Sequence, residues 1–151
     1  MCIQSTMYKY TCIYNFTSID KTKLNKTLEQ FFNELKKVGA EFGYRTGMEI
    51  HRLYNQLSIV NDKLKETDKI DIAIMQKLLP KLHGSRRKLI PILEILANLC
   101  VKDIDVKKEY LDNREELNYN SDKILYKLSL EKITRMYKGA IDNGFASYAE
   151  A

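Results

Sequence analysis

The chain predicts an all-α domain: a bundle of about five helices behind a short extended N-terminal segment. Three observations lead there. Only two prolines and six glycines punctuate 151 residues, too few turn formers for a many-stranded β-fold. Apolar residues recur at steps of three and four along most of the chain, the period of a helix face. The length suits one domain with a real core, since folding at this size buries roughly two-thirds of the unfolded surface.

Residues 1–17 are aromatic and β-branched, with Tyr8, Tyr10, Ile13, Tyr14 and Phe16, and read as a strand without a partner in the rest of the pattern. Asp20 is the expected N-cap of the first helix, whose stripe is Leu24, Leu28, Phe31, Phe32, Leu35 and Val38, and Gly39 is its natural stop. In the second helix Thr46 and Glu49 stand three apart, as a capping box requires, and Ile50, Leu53, Tyr54, Leu57 and Val60 supply the buried face. That helix fades near Lys65. A third helix is capped by Asp68 with Asp71 at its third position, along the stripe Ile72, Met75, Leu78, Leu79 and Leu82. Pro80 removes a backbone donor and ends or kinks it, and Gly84 turns the chain. Ser85 caps a fourth helix over 86–101, where Pro91 makes the first turn irregular. Residues 103–127 are charged and Asn-rich and read as a variable polar insert. Ser129 caps a last helix through Ile141, which Asn143-Gly144 ends. The organisation is therefore an extended segment at 1–19 and a helical domain at 20–151. Leu28, Phe32, Leu53, Leu57, Leu78, Leu82, Leu93 and Leu96 are expected to share one core.

Composition narrows the function classes. The formal net charge is +5, from 25 Lys and Arg against 20 Asp and Glu, and the two signs are interleaved along most of the chain. Three cysteines, Cys2, Cys12 and Cys100, are odd in number and widely spaced, which speaks against a disulfide framework and points to a reducing, cytoplasmic setting. The first residues lack the basic, apolar and small-residue order of a signal peptide. No apolar run approaches the length of a membrane span. No G-x-x-x-x-G-K-[ST] or G-x-G-x-x-G occurs.

Few residues carry chemistry by themselves. His51 and His83 lie far apart, with no Cys or carboxylate at ligand spacing, so no metal site is expected. His83, just before Gly84, is placed to donate to a helix C-terminal carbonyl. Cys100 on a Leu-rich face reads as a small core residue. Arg86, Arg87 and Lys88 follow Gly84-Ser85 at a helix start. They read as a solvated basic turn, or as phosphate or DNA contacts made by cations and exposed amides. Arg45 also stands at a helix start. On physics alone it pairs with Glu41 or Glu49 at the surface; the alternative is an arginine that reaches a polyphosphate held outside this chain.

Three segments taken together, 41–54, 71–96 and 128–148, resemble the C-terminal part of the McrB-like AAA+ proteins. The resemblance rests on Gly43-Tyr44-Arg45, on Gln76-Lys77-Leu78-Leu79-Pro80-Lys81-Leu82-His83-Gly84, and on Ser129, Glu131, Lys132, Ile133 and Met136 followed by Gly144-Phe145 and Ser147-Tyr148. It covers roughly residues 20–148, with 103–127 as the insert. It implies a helical lid from a ring motor of a modification-dependent restriction system. Such motors hydrolyse GTP or ATP with Mg²⁺ and couple to an McrC-type nuclease. Walker A, Walker B, sensor 1 and the arginine finger do not occur in these residues, so the resemblance implies the last third of a motor, not catalytic alone. By motif position Arg45 resembles the sensor-2 arginine. Gln76, Lys77 and His83 match the motif without an assigned role. The implied partners are the AAA+ core, neighbouring ring subunits, the nuclease and, through the assembly, DNA, with no membrane. Two rival readings from the residues are a basic helical module that binds nucleic acid and a regulatory bundle. An apolar patch left exposed by the missing core would let the isolated chain dimerise.

Overall fold

A computed structural model describes residues 20–151. The expected N-terminal strand, Cys2 and Cys12 lie outside the described residues. The domain is all-α, with one small antiparallel ribbon. Its order is α1 (Thr22–Lys36), α2 (Tyr44–Val60), α3 (Glu66–Lys77), a 3₁₀ turn (Leu79–Lys81), β1 (His83–Ser85), α4 (Arg86–Leu99), a π-helical turn (Lys107–Leu111), α5 (Lys127–Asn143) and β2 (Phe145–Ser147).

Helix α1 stops at its glycine as expected, but Lys21 and not Asp20 is its cap residue, and Val38, beyond the last turn, is exposed. The Asp20 carboxylate accepts the Thr22 backbone N–H at 2.9 Å. At the other end Gly39 takes φ +67°. Gly39 N–H returns to the Lys36 carbonyl and Ala40 N–H to that of Leu35, which is the Schellman pattern of a glycine stop. Leu24, Leu28, Phe31 and Leu35 are buried, and Phe32 packs half-buried beside them.

In α2 the capping box is not formed. The helix begins three residues early, at Tyr44, with extended Gly43 at its cap, so Thr46 is already in the first turn and its hydroxyl is available to another partner. The buried face is Thr46, Gly47, Ile50, His51 and Tyr54, while Leu53 and Leu57 are half-buried. Val60, expected inside, is exposed together with Ile59, because the helix ends there instead of running on to Lys65.

Helix α3 corrects a phase. It begins at Glu66, so Asp68 sits within the first turn, where an acid complements the helix dipole, and does not cap it. The buried face is Ile70, Asp71, Ala73 and Ile74 with Leu78 and Leu79 beyond, and Ile72 and Met75 are only half-buried. Asp71 was read as a first-turn acid of its own helix. It is instead 5% exposed and caps another helix. Its two carboxylate oxygens accept the backbone N–H of Leu128 at 2.8 Å and of Ser129 at 2.9 Å, and the Ser129 hydroxyl lies 2.6 Å from one of them. Those N–H groups belong to the first turn of α5, which has no partner for them within its own helix. Ser129 is therefore a buried first-turn residue that receives a cap, not the cap itself. Burial pushes the Asp71 carboxyl above its usual range, against the pull of the Ser129 hydroxyl and the two backbone donors.

After the 3₁₀ turn at Pro80 the chain does not turn at Gly84 but extends. His83–Ser85 pairs antiparallel with Phe145–Ser147, with His83 opposite Ser147, Gly84 opposite Ala146 and Ser85 opposite Phe145. Ser85 is the cap residue of α4, yet its side chain makes no capping bond; the Arg86 N–H goes to the Gly144 carbonyl at 2.8 Å. Helix α4 runs through Pro91 without a break. The polar insert leaves and returns at the end of α4, where Val101 bridges Ile124 and the Cys100 carbonyl accepts Leu125 N–H at 2.8 Å. Val106, Tyr110, Leu111, Ile124 and Tyr126 anchor it in the core. Helix α5 ends at Gly144, φ +74°, as expected.

Of the expected core set, Leu28, Leu78, Leu93 and Leu96 are buried, and Phe32, Leu53 and Leu82 pack half-buried against the same cluster; Leu57 lies at its margin. Cys100 is fully buried in that cluster, as a core residue should be, and burial pushes its thiol far up, away from reactivity.

His51 is the other buried titratable group of note. It is 8% exposed on α2, and burial, helped by the Lys21 ammonium, lowers its pKa from 6.5 to about 4. The unfolded chain therefore binds a proton that the folded domain refuses between those two values. Stability from this group is complete above pH 6.5 and falls as pH drops toward 4, by about 2 kcal/mol at pH 5. Urea unfolding at pH 7.5 and 5.0 should show this loss in the wild type and a smaller one in His51→Gln. Equal losses in both would assign the acid sensitivity elsewhere.

Candidate functional site

The middle motif-bearing segment is bonded to each of the other two. Lys81, at the end of the 3₁₀ turn, reaches across to α2: its Nζ donates to Thr46 Oγ1 at 2.8 Å and lies 3.2 Å from Glu49 Oε2. This is the partner that frees Thr46 and Glu49 from capping duty. The Lys81 ammonium holds the Glu49 carboxyl below the usual range, with Arg45 adding to the pull. Two residues on, His83–Ser85 forms the ribbon with Phe145–Ser147. Lys132 of α5 closes the unit: its ammonium sits 4.4 Å over the Tyr148 ring and donates to the Ala151 carbonyl oxygen. The Asp71–Ser129 bond joins the second and third segments once more from inside.

Each sequence-predicted residue has a definite place. Arg45 stands in the first turn of α2 with its side chain 91% exposed and its Nε 3.3 Å from Glu49 Oε1, the surface pairing expected on physics alone. An exposed i,i+4 pair of this kind, open to solvent, holds the guanidinium only weakly. Arg86, Arg87 and Lys88 are exposed on the first turn of α4, and no carboxylate among the described residues lies within 4 Å of their charged ends. The first amide of that turn is already spent on Gly144, which removes part of the amide cradle expected there. Gln76 is exposed and Lys77 half-buried. His83 is exposed on the ribbon, so it belongs to a strand and not to a helix end.

Sequence reasoning missed Lys81, Asp71 and Lys132 as organising residues. Lys81 and Lys132 lay inside the motif strings, and that was the only signal available for them. Among the described residues no group of three or more His, Cys, Asp or Glu is placed to hold a metal ion. Among the same residues no helix is long and apolar enough to cross a membrane.

Comparison with curated proteins and with solved structures returned no match. One family does match, described as a domain of unknown function (DUF8727), over residues 5–145. That span is nearly the whole chain, and the chain belongs to this family.

Proposed function

We propose that this domain is the helical lid of an McrB-like ring NTPase. In that role it closes over GTP or ATP with Mg²⁺ bound by an AAA+ core, touches the adjacent ring subunit, and passes the nucleotide state to an McrC-like nuclease acting on DNA. By itself it does not hydrolyse nucleotide, since phosphoryl transfer needs a phosphate cradle and a Mg²⁺ ligand that these residues do not offer. The observation that supports this reading is the convergence of the three motif segments into one bonded unit through Lys81 and the β1–β2 ribbon. Arg45 suits the sensing role because it projects from a helix start and is held only by an exposed ion pair. It can exchange Glu49 for a γ-phosphate at small cost. Ile59 and Val60, exposed at the end of α2, offer an apolar contact for the core domain or for a second copy.

The test begins with the DNA around the coding region, read for a Walker-bearing frame and an McrC-like neighbour. The P-loop protein and this chain are then mixed, and GTP and ATP hydrolysis are followed. The chain should raise the rate, and Arg45→Ala should lower the raised rate at least tenfold. The reading fails if no such frame adjoins the gene, or if hydrolysis is indifferent to Arg45.

A further inference from the structure

The charge of this chain is concentrated in a way its total conceals. Between Asp71 and Glu94 there is no acid, and Lys77, Lys81, Arg86, Arg87 and Lys88 all fall there. Those five cations equal the whole formal net charge of +5, so the remaining 20 cations and 20 acids cancel. The fold then sorts the five. Lys81 is neutralised by Glu49, whereas Arg86, Arg87 and Lys88 are left exposed and unpaired among the described residues.

An exposed ring stands beside them. In the ribbon Gly84 and Ala146 face the domain, so His83, Ser85, Phe145 and Ser147 share the outer face. Phe145 is opposite Ser85, the residue that leads into Arg86, and it is 46% exposed. The acids that flank these elements in sequence are held in turn, Glu94 by Lys107 and Asp142 by both terminal nitrogens of Arg114, while Glu150 accepts from the Ser147 hydroxyl at 2.9 Å and keeps its charge. The ribbon and the first turn of α4 therefore carry two arginines, a lysine and an aromatic ring, all exposed, and no carboxylate.

We infer that the outer face of the β1–β2 ribbon and the first turn of α4 bind single-stranded nucleic acid, with Arg86, Arg87 and Lys88 on the phosphate backbone and Phe145 stacked on a base. Guanidinium groups match phosphate geometry, and a ring beside a cationic track is how single strands are held without sequence preference. A bilayer would call for a broader apolar face around the cations. The inference does not depend on the lid reading, because it uses neither Arg45 nor a nucleotide.

The test is fluorescence anisotropy of a labelled 20-nucleotide oligothymidylate with the full chain at several salt concentrations. Binding should be saturable, with a log–log salt slope of about −2 for three phosphate contacts on a single strand. Arg86→Glu/Arg87→Glu should weaken binding at least tenfold and flatten the slope. Phe145→Ala should weaken it about tenfold and leave the slope unchanged. Lys63→Glu/Lys65→Glu, the same charge change on exposed residues of the α2–α3 connection, should alter affinity less than twofold. Circular dichroism of each variant checks that the fold is kept. Absence of binding at 50 mM salt overturns the inference. So does equal weakening by the two charge-reversed pairs, an unchanged affinity in Phe145→Ala, or tighter binding to duplex DNA or to phosphatidylserine vesicles than to the single strand.

Discussion

Asp71→Ala is expected to destabilise the domain by about 2–4 kcal/mol, because it removes the carboxylate that serves two backbone donors and a buried hydroxyl at the start of α5. The backbone N–H groups of Leu128 and Ser129 lose their acceptor at once, and the Ser129 hydroxyl keeps only its longer bond, 3.2 Å, to the Asp71 backbone carbonyl. Ser129→Ala removes one donor and leaves the two backbone bonds, so its cost should be nearer 1–2 kcal/mol. Asp71→Asn keeps one acceptor oxygen and turns an N–H₂ toward the helix start, and it should fall between the two. Urea unfolding at pH 7.5 gives all three numbers. If Asp71→Ala costs less than 1 kcal/mol, Asp71 does not cap α5 in solution.

Phe31→Ala should be of similar size, roughly 3–5 kcal/mol, while Phe32→Ala should cost clearly less, about 1–2 kcal/mol. The two are neighbours in sequence and differ only in which way α1 presents them. Phe31 is 1% exposed and meets the Tyr126 ring edge-on at 6.1 Å, at the point where the polar insert rejoins the bundle. Phe32 packs on Phe42 at 5.6 Å on the half-buried flank of the helix. Removing Phe31 opens a cavity in the shared core, whereas the Phe32 site can collapse toward solvent. Thermal and urea unfolding of both variants should give this order. The reverse order would mean that α1 is rotated.

Helices with one strong stripe were legible in the sequence. Leu24, Leu28, Phe31 and Leu35 declare α1, and the Gly39 and Gly144 stops read correctly because only glycine enters the left-handed region without strain. Helix α3 misled because Ile70-Asp71-Ile72-Ala73-Ile74-Met75 offers two apolar stripes, and the polar Asp71 made the wrong one look better. A carboxylate that caps a helix from another element leaves no mark in its own neighbourhood. The ribbon was illegible for a different reason, since strands of three residues are too short to show an alternation. The insert's anchors, Tyr110 and Leu111 among them, obey no period because they are fixed by side-chain fit, such as the Tyr110 hydroxyl on the Asn118 carbonyl at 2.9 Å. At the site, Arg45 and the Arg86–Lys88 turn were found as residue types at helix starts. The pairing of Lys81 with Thr46 and Glu49 was not, because it joins residues 32 and 35 positions apart.

The remote cap on α5 also bears on the order of assembly. A helix is costly to nucleate, and a local cap lowers that cost at once. Here the acceptor stands 57 residues upstream of the first N–H it serves, so the stabilisation arrives only after a long loop has closed. Helix α5 is thus a conditional helix, complete only when α3 has found it. As the chain emerges from the ribosome, α1 can pack on α4 and α2 on α3, and α5, which packs on both α3 and α4, is the element that then brings the two pairs together.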